Sequence, residues 1–256
     1  MCGVAPHYTF LDHDGPIAFA HRGGAGLHPE NTWVAFRHAV GLGYRYLETD
    51  VRLTSDGVVV AFHDATLDRV SDRTGAIAQM RWEEVRRARI GGMHEPVRLD
   101  ELLDAFPDVR VNIDPKEDAV VEPLARVIER TGAVERVCIA SFKDSRPARA
   151  RALLGSRLCY AGGPRSIARL RMSATRLRSR PRSVPCVQVP VRLGRVRIVD
   201  ERFVAAAHDV GIAVHVWTID DPLEMARLLD LGVDGIMTDR PDTLRGVLTG
   251  RGQWPT

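Results

Sequence analysis

Eight short apolar runs, separated by longer segments of helical periodicity, constrain the fold of this chain more than any other feature of it. The strand-like runs span residues 17–20, 46–53, 109–114, 137–141, 157–161, 186–190, 213–217 and 235–238. Helix candidates lie between and after them, at 32–40, 99–106, 120–130, 147–154, 166–178, 201–210, 222–231 and 243–248. Strand and helix alternate to the end, the pattern of a parallel sheet with helical crossovers. Eight such units in 256 residues favour a closed (β/α)8 barrel (TIM barrel) over an open doubly wound sheet. No low-complexity or linker-like stretch divides the chain, so residues 1–256 are expected to form a single domain.

The second run is followed by an addition. Asp56-Gly57 is a strong two-residue turn signal between apolar strands, so a small β-hairpin insertion is expected there. With Asp56 and Gly57 as the loop, Ser55 pairs with Val58, and Asp50 then lies opposite His63. A single bulge would shift that register by one residue.

Composition excludes several classes. Basic and acidic side chains number 36 and 33, too even for a general nucleic-acid binder. No apolar run approaches the ~18 residues of a membrane helix, and the leader lacks a basic segment followed by an apolar one, so a cytoplasmic chain is expected. The cysteines, at positions 2, 138, 159 and 186, form no CxxC pair, which indicates neither a zinc knuckle nor a redox motif. Lys occurs only at 116 and 143 in an otherwise Arg-based chain, which draws attention to Lys116 as a compact ammonium.

In such a barrel the active site lies at the C-terminal ends of the strands, where inward side chains alternate. Glu48 and Asp50 share a face of the second strand, and Asn112, Asp114 and Lys116 share one of the third. His21 closes the first strand, and Trp217 ends the seventh on the same face as His215. Carboxylates packed together repel one another and resist ionisation. A hard divalent cation relieves that repulsion, and all-oxygen ligation suits Mg2+ or Ca2+. A cation, two imidazoles, an Arg and a Lys together suit phosphodiester cleavage: charge develops on phosphoryl oxygens, and one proton must leave the nucleophile while another reaches the leaving alkoxide.

These residues occur in recognisable blocks. His21-Arg22-Gly23-Gly24 with Pro29-Glu30-Asn31-Thr32, then Glu48-Thr49-Asp50 through Gly57, then Phe62-His63-Asp64, resemble the glycerophosphodiester phosphodiesterase family. Asn112-Ile113-Asp114-Pro115-Lys116, Val216-Trp217-Thr218 and the stretch from Gly232 to Pro241 resemble its later blocks, so the likeness runs over about residues 18–244. The resemblance implies a metal-dependent (β/α)8 barrel hydrolysing glycerophosphodiesters to sn-glycerol 3-phosphate and an alcohol. Carried over by position, it implies His21 and His63 as the acid–base pair and Glu48, Asp50 and Asp114 as ligands of Mg2+ or Ca2+. Arg22 and Lys116 would hold phosphate, and Trp217 would wall the glycerol pocket. Many members of that family have Glu where this chain has the shorter Asp114. Glu30 and Asn31 are candidates either for capping the first helix or for touching substrate, and His28 is a weaker candidate for substrate contact. His215 reads more simply as a core histidine, and Asp239 and Arg240 as a pair at the barrel rim.

The segment from Arg165 to Arg182 carries seven Arg and no acid. It reads as an outer helix with a solvated basic face, or as a surface for anionic membrane lipid. The second reading favours a lysophospholipase D acting through the same site. A non-enzymatic barrel binding phosphate-bearing partners is the alternative of a different class.

Overall fold

The computed structural model describes residues 7–174 and 184–254. The eight barrel strands are β1 (Ile17–Ala20), β2 (Tyr46–Leu53), β3 (Arg110–Pro115), β4 (Val137–Ile139), β5 (Cys159–Gly162), β6 (Cys186–Pro190), β7 (Ala213–Trp217) and β8 (Gly235–Thr238). All neighbours among them pair in parallel. The ring closes where β1 pairs with β8 (Ile17 beside Gly235) and with β2 (Phe19 beside Tyr46). That double pairing excludes the open sheet.

Five of the strands have the bounds expected from sequence, and the other three differ by one or two residues at one or both ends. The strands are apolar on both faces because crossover helices cover the outside while inward side chains fill the interior. Leu47, Val111, Ile113 and Val187 belong to the layer between strands and helices. Tyr46 packs edge to face against Phe10 and Phe19 inside the barrel, with Phe10 supplied by the leader.

Local chemistry accounts for the helix starts. Thr32 caps the helix Trp33–Gly41, its hydroxyl accepting from the Ala35 N–H. Asp200 and Asp221 do the same for Glu201–His208 and Pro222–Asp230. The basic segment begins as the helix Pro164–Ala174; residues 175–183, and Cys2, lie outside the described residues. Among the described residues, no helix is long and apolar enough to cross a membrane.

The hairpin after β2 forms, but its register differs from the expected one. Val51 pairs with Ala61 and Leu53 with Val59. The Phe62 N–H therefore donates to the Asp50 carbonyl at 2.9 Å, and Asp50 faces Phe62 rather than His63. The loop holds three residues, not two. The Thr54 N–H donates to the Val58 carbonyl, and Gly57 takes φ 84°, the left-handed residue that completes a three-residue turn. The Thr54 hydroxyl also accepts from the Val58 N–H, which stabilises the longer loop. The insertion is larger than a hairpin: Val97–Arg98 adds a third antiparallel strand. Phe62, Leu67, Ile77, Val85 and Ile90 form a separate small core beneath it.

Asp221→Ala removes one helix cap at an exposed residue. It should lower unfolding free energy by about 1 kcal/mol in denaturant titration and leave kcat unchanged.

Candidate active site

The loop leaving β1 is strained. Arg22, Gly23 and Gly24 have φ of 51°, 81° and 98° in succession. A Cβ at Gly23 would lie 2.9 Å from the Ala35 Cβ, and one at Gly24 would lie 2.7 Å from the Pro241 Cγ. The two glycines are thus required by close packing against the first and last helices. Arg22 is one of two non-glycine residues with positive φ among those described, and Asn31 is the other. Such strain persists only where the surroundings enforce it. Here the turn aims the Arg22 N–H at Glu48 Oε2, 3.0 Å away.

Glu48 and Asp50 stand at the mouth, 4% and 2% exposed. Burial and the neighbouring Asp50 carboxylate push Glu48 up to about 7. Burial also opposes the charge on Asp50, but Lys116 and Arg22 outweigh it and hold its carboxyl below the usual range. Lys116 Nζ lies 2.7 Å from both Asp50 Oδ1 and Asp114 Oδ2. Burial disfavours the ammonium, yet the two carboxylates hold it above its ordinary range. Asp114 is raised, by burial first of all. The Arg22 guanidinium links Asp50 (Nε, 3.0 Å) to Glu30 (3.2 Å).

The two histidines have parallel surroundings. His21 Nδ1 lies 2.7 Å from Asp239 Oδ1, and His63 Nδ1 lies 2.6 Å from Asp64 Oδ1. Each carboxylate orients its ring and leaves Nε2 free to serve the cavity. Burial disfavours charge on His21, but Glu48 and Asp239 outweigh it and its pKa is raised. Asp64 is held down at about 2, chiefly by Arg69. Arg69 also grips Glu30 at 2.7 Å, so a chain of ion pairs runs His63–Asp64–Arg69–Glu30–Arg22–Asp50.

A cavity of about 740 Å³ opens over these groups. His21, Arg22, Glu48, Asp50, His63, Asp114, Lys116 and Trp217 all line it, so every principal residue expected from the sequence meets in one place. Glu30 and Asn31 do not line it. Glu30 clamps Arg22 and Arg69, while Asn31 is buried and accepts from the Thr49 hydroxyl at 2.8 Å. Thr32, not Asn31, is the helix cap. His28 packs edge-on against His38 and lies outside the cavity, as does His215. Asp239 is not the rim partner of Arg240, which pairs with Asp242; it holds His21 across 218 positions of sequence. Asp64 and Asp239 are the members that spacing alone underrated; their one signal was a place inside the blocks that resemble the family.

The far wall is apolar. Phe142, Ile167, Met172, Leu193 and Ile198 line it, and Phe142 meets Trp217 edge to face at 5.6 Å. Ile167 and Met172 come from the basic helix Pro164–Ala174, which therefore borders the cavity as well as the surface.

The mouth suits a hard cation. Asp50 Oδ2 and Asp114 Oδ1 are buried carboxylate oxygens without a hydrogen-bond donor. Asp50 Oδ2 has the Arg22 Nε at 3.0 Å, but not aligned as a hydrogen bond. Together with the reluctantly ionised Glu48, they form an oxygen donor set with charge to neutralise.

Comparison with known proteins matches the glycerophosphoryl diester phosphodiesterase family over residues 21–243. Glycerophosphodiester phosphodiesterase 2 of Mycobacterium tuberculosis is 44% identical over 98% of both chains. A solved glycerophosphoryl diester phosphodiesterase from Silicibacter pomeroyi has the same fold, with TM-score 0.82 at 24% identity over 98% of this chain and all of that one. A phosphodiesterase from Oleispira antarctica, solved with its product sn-glycerol-3-phosphate, superposes with TM-score 0.75 at 21% identity, covering 92% and 97% of the two chains.

Asp239→Asn removes an anion from His21 and so weakens its protonated form. The His21 titration midpoint, followed by NMR, should move to lower pH, and an unmoved midpoint would contradict the assigned pairing.

Proposed function

The chain belongs to the glycerophosphoryl diester phosphodiesterase family and hydrolyses glycerophosphodiesters, and we propose that His21 and His63 move the protons while Glu48, Asp50 and Asp114 hold a divalent cation, Mg2+ or Ca2+. The observation that carries this reading is the pair of carboxylate-bound imidazoles lining one cavity with three buried carboxylates, Arg22 and Lys116.

When bound, the cation supplies positive charge against the phosphoryl oxygens and separates the three carboxylates. Arg22 and Lys116 add cationic donors to the same phosphate. Both are already anchored by acids, so little side-chain ordering remains to be done on binding. His21, whose pKa Glu48 and Asp239 raise against the effect of burial, is the group that donates from Nε2 to the departing alkoxide. His63, oriented through Nδ1 by Asp64, takes the proton of the attacking oxygen at Nε2. Trp217 packs against the glycerol portion. The products are sn-glycerol 3-phosphate and the free alcohol, the former being the product seen in the Oleispira antarctica enzyme.

A second reading, on the same chemistry, rests on the cavity's apolar wall. Its 740 Å³ exceed the needs of a glycerophosphate headgroup. Phe142 and Leu193 remain 68% and 70% exposed beside it. A lysophospholipid would lay its acyl chain along that wall. The described basic helix Pro164–Ala174 would meet the anionic lipid surface next to the cavity.

His63→Ala should lower kcat by about 10²–10⁴ with little change in substrate affinity, because proton transfer occurs in the transition state. Asp114→Ala should need more cation for half-maximal rate, and excess cation should restore part of the activity. Superimposable cation titrations of wild type and Asp114→Ala would reject the ligand assignment.

Glycerophosphocholine and lysophosphatidylcholine, each assayed with and without anionic vesicles, separate the two substrate readings. Turnover of lysophosphatidylcholine that rises with vesicle recruitment supports the lipid reading. Turnover of glycerophosphocholine alone, without vesicle binding even in low salt, confines the enzyme to soluble diesters.

A further inference from the structure

A second group of ligand-type side chains lies inside the barrel, one layer below the catalytic cavity. Cys138, Cys159 and Cys186 come from β4, β5 and β6, three consecutive strands, and all are fully buried with free thiols. Their sulfurs lie within 4.8 Å of one another, and among the described residues they form the metal-ligand group so gathered. Each Cys stands two residues before a side chain that lines the cavity: Ala140, Ala161 and Gln188. Two residues along a strand is one inward step, about 6.6 Å. The thiols therefore occupy the interior layer beneath the cavity floor.

The fourth strand in the series repeats the pattern. His215 of β7 stands two residues before Trp217, which also lines the cavity. Its ring points into the barrel, close enough that a Cβ on Gly235 would come within 2.9 Å of His215 Cδ2. It neighbours Cys186 on the adjoining strand, with its nitrogens outside the 4.8 Å grouping of the three sulfurs, so ligation needs a small movement of the ring. It is wholly buried, and neither ring nitrogen has a hydrogen-bond partner. A buried imidazole left unpaired on both sides is costly and calls for an explanation. One Cys packs well as a small apolar core residue. That role does not explain three thiols converging beside an unpartnered imidazole.

We propose that Cys138, Cys159 and Cys186, with His215 as fourth donor, form a buried structural site for a thiophilic divalent cation, Zn2+. Three thiolates and one imidazole are a donor set that zinc takes in closed tetrahedral sites. With Zn–S bonds of about 2.3 Å, the sulfurs sit about 3.8 Å apart, a separation compatible with the observed grouping. Each ligating thiol gives its proton to solvent during loading. The ion would tie four successive strands together under the catalytic floor. It would also differ in kind from the cation at the mouth. Soft donors hold it, and the layer is sealed from the open cavity, so it loads as the chain folds and does not exchange afterwards.

The test is zinc content of the full-length chain, refolded with zinc and then dialysed against EDTA in the native state. Wild type and Asp114→Asn should each retain about one zinc per chain, and Cys138→Ala should retain less than half. X-ray absorption at the zinc edge of wild type should show sulfur scatterers at about 2.3 Å. Less than half an equivalent in dialysed wild type, or zinc with nitrogen and oxygen scatterers alone, would overturn the proposal. Loss of the zinc in Asp114→Asn would equally overturn it, placing the ion at the mouth. Should Cys138→Ala fail to fold, the wild-type absorption spectrum and the Asp114→Asn measurement decide the matter.

Discussion

Two carboxylates on one strand face, Glu48 and Asp50, are buried together at the barrel mouth, and the surrounding structure is organised around that charge. Neighbouring anions in a low-dielectric site each raise the cost of ionising the other. Arg22 and Lys116 meet the charge on Asp50, while Glu48, pushed up to about 7, has His21 beside it. The positive φ of Arg22, the two glycines after it and the outward chain of ion pairs through Glu30, Arg69 and Asp64 all serve to hold cations against those acids. The site is therefore preorganised for an anionic phosphodiester through its own internal balance of charge.

The shorter Asp114 illustrates how that balance is kept. Lys116, two positions on, bridges Asp114 and Asp50 at equal distances, so the two strands share one ammonium. In a chain otherwise written with Arg, a compact point charge is retained where two carboxylates must both be reached. The other lysine, Lys143, pairs with Asp118 at the surface. Lys116 reaches both carboxylates at 2.7 Å, as a compact ammonium can.

The likeness between the two histidine–aspartate pairs was only half visible in the sequence. Asp64 follows His63 directly, inside the same block of sequence. Asp239 reaches His21 only because β8 closes against β1. The same closure explains the thiols. Spacings of 21 and 27 residues resemble no metal motif in sequence, yet they follow the repeat of the strand–helix unit. One inward position on each of three adjacent strands becomes a cluster once the barrel is formed.

Hydrophobic periodicity, helix caps and the glycine-bearing blocks are short-range properties, and the sequence alone therefore determined the order of the eight strands, the barrel and the residues gathered at its mouth. Tertiary structure decided what depends on closure and register. The Thr54 hydroxyl lengthened the hairpin loop by one residue and put Phe62, not His63, opposite Asp50. Packing enlarged the insertion around its own apolar core. Closure selected Asp239 for His21, drew the basic helix to the cavity wall and brought Cys138, Cys159, Cys186 and His215 into one layer. Contacts between residues far apart in the chain depend on how the twisted sheet meets itself, and no local pattern of side chains encodes that.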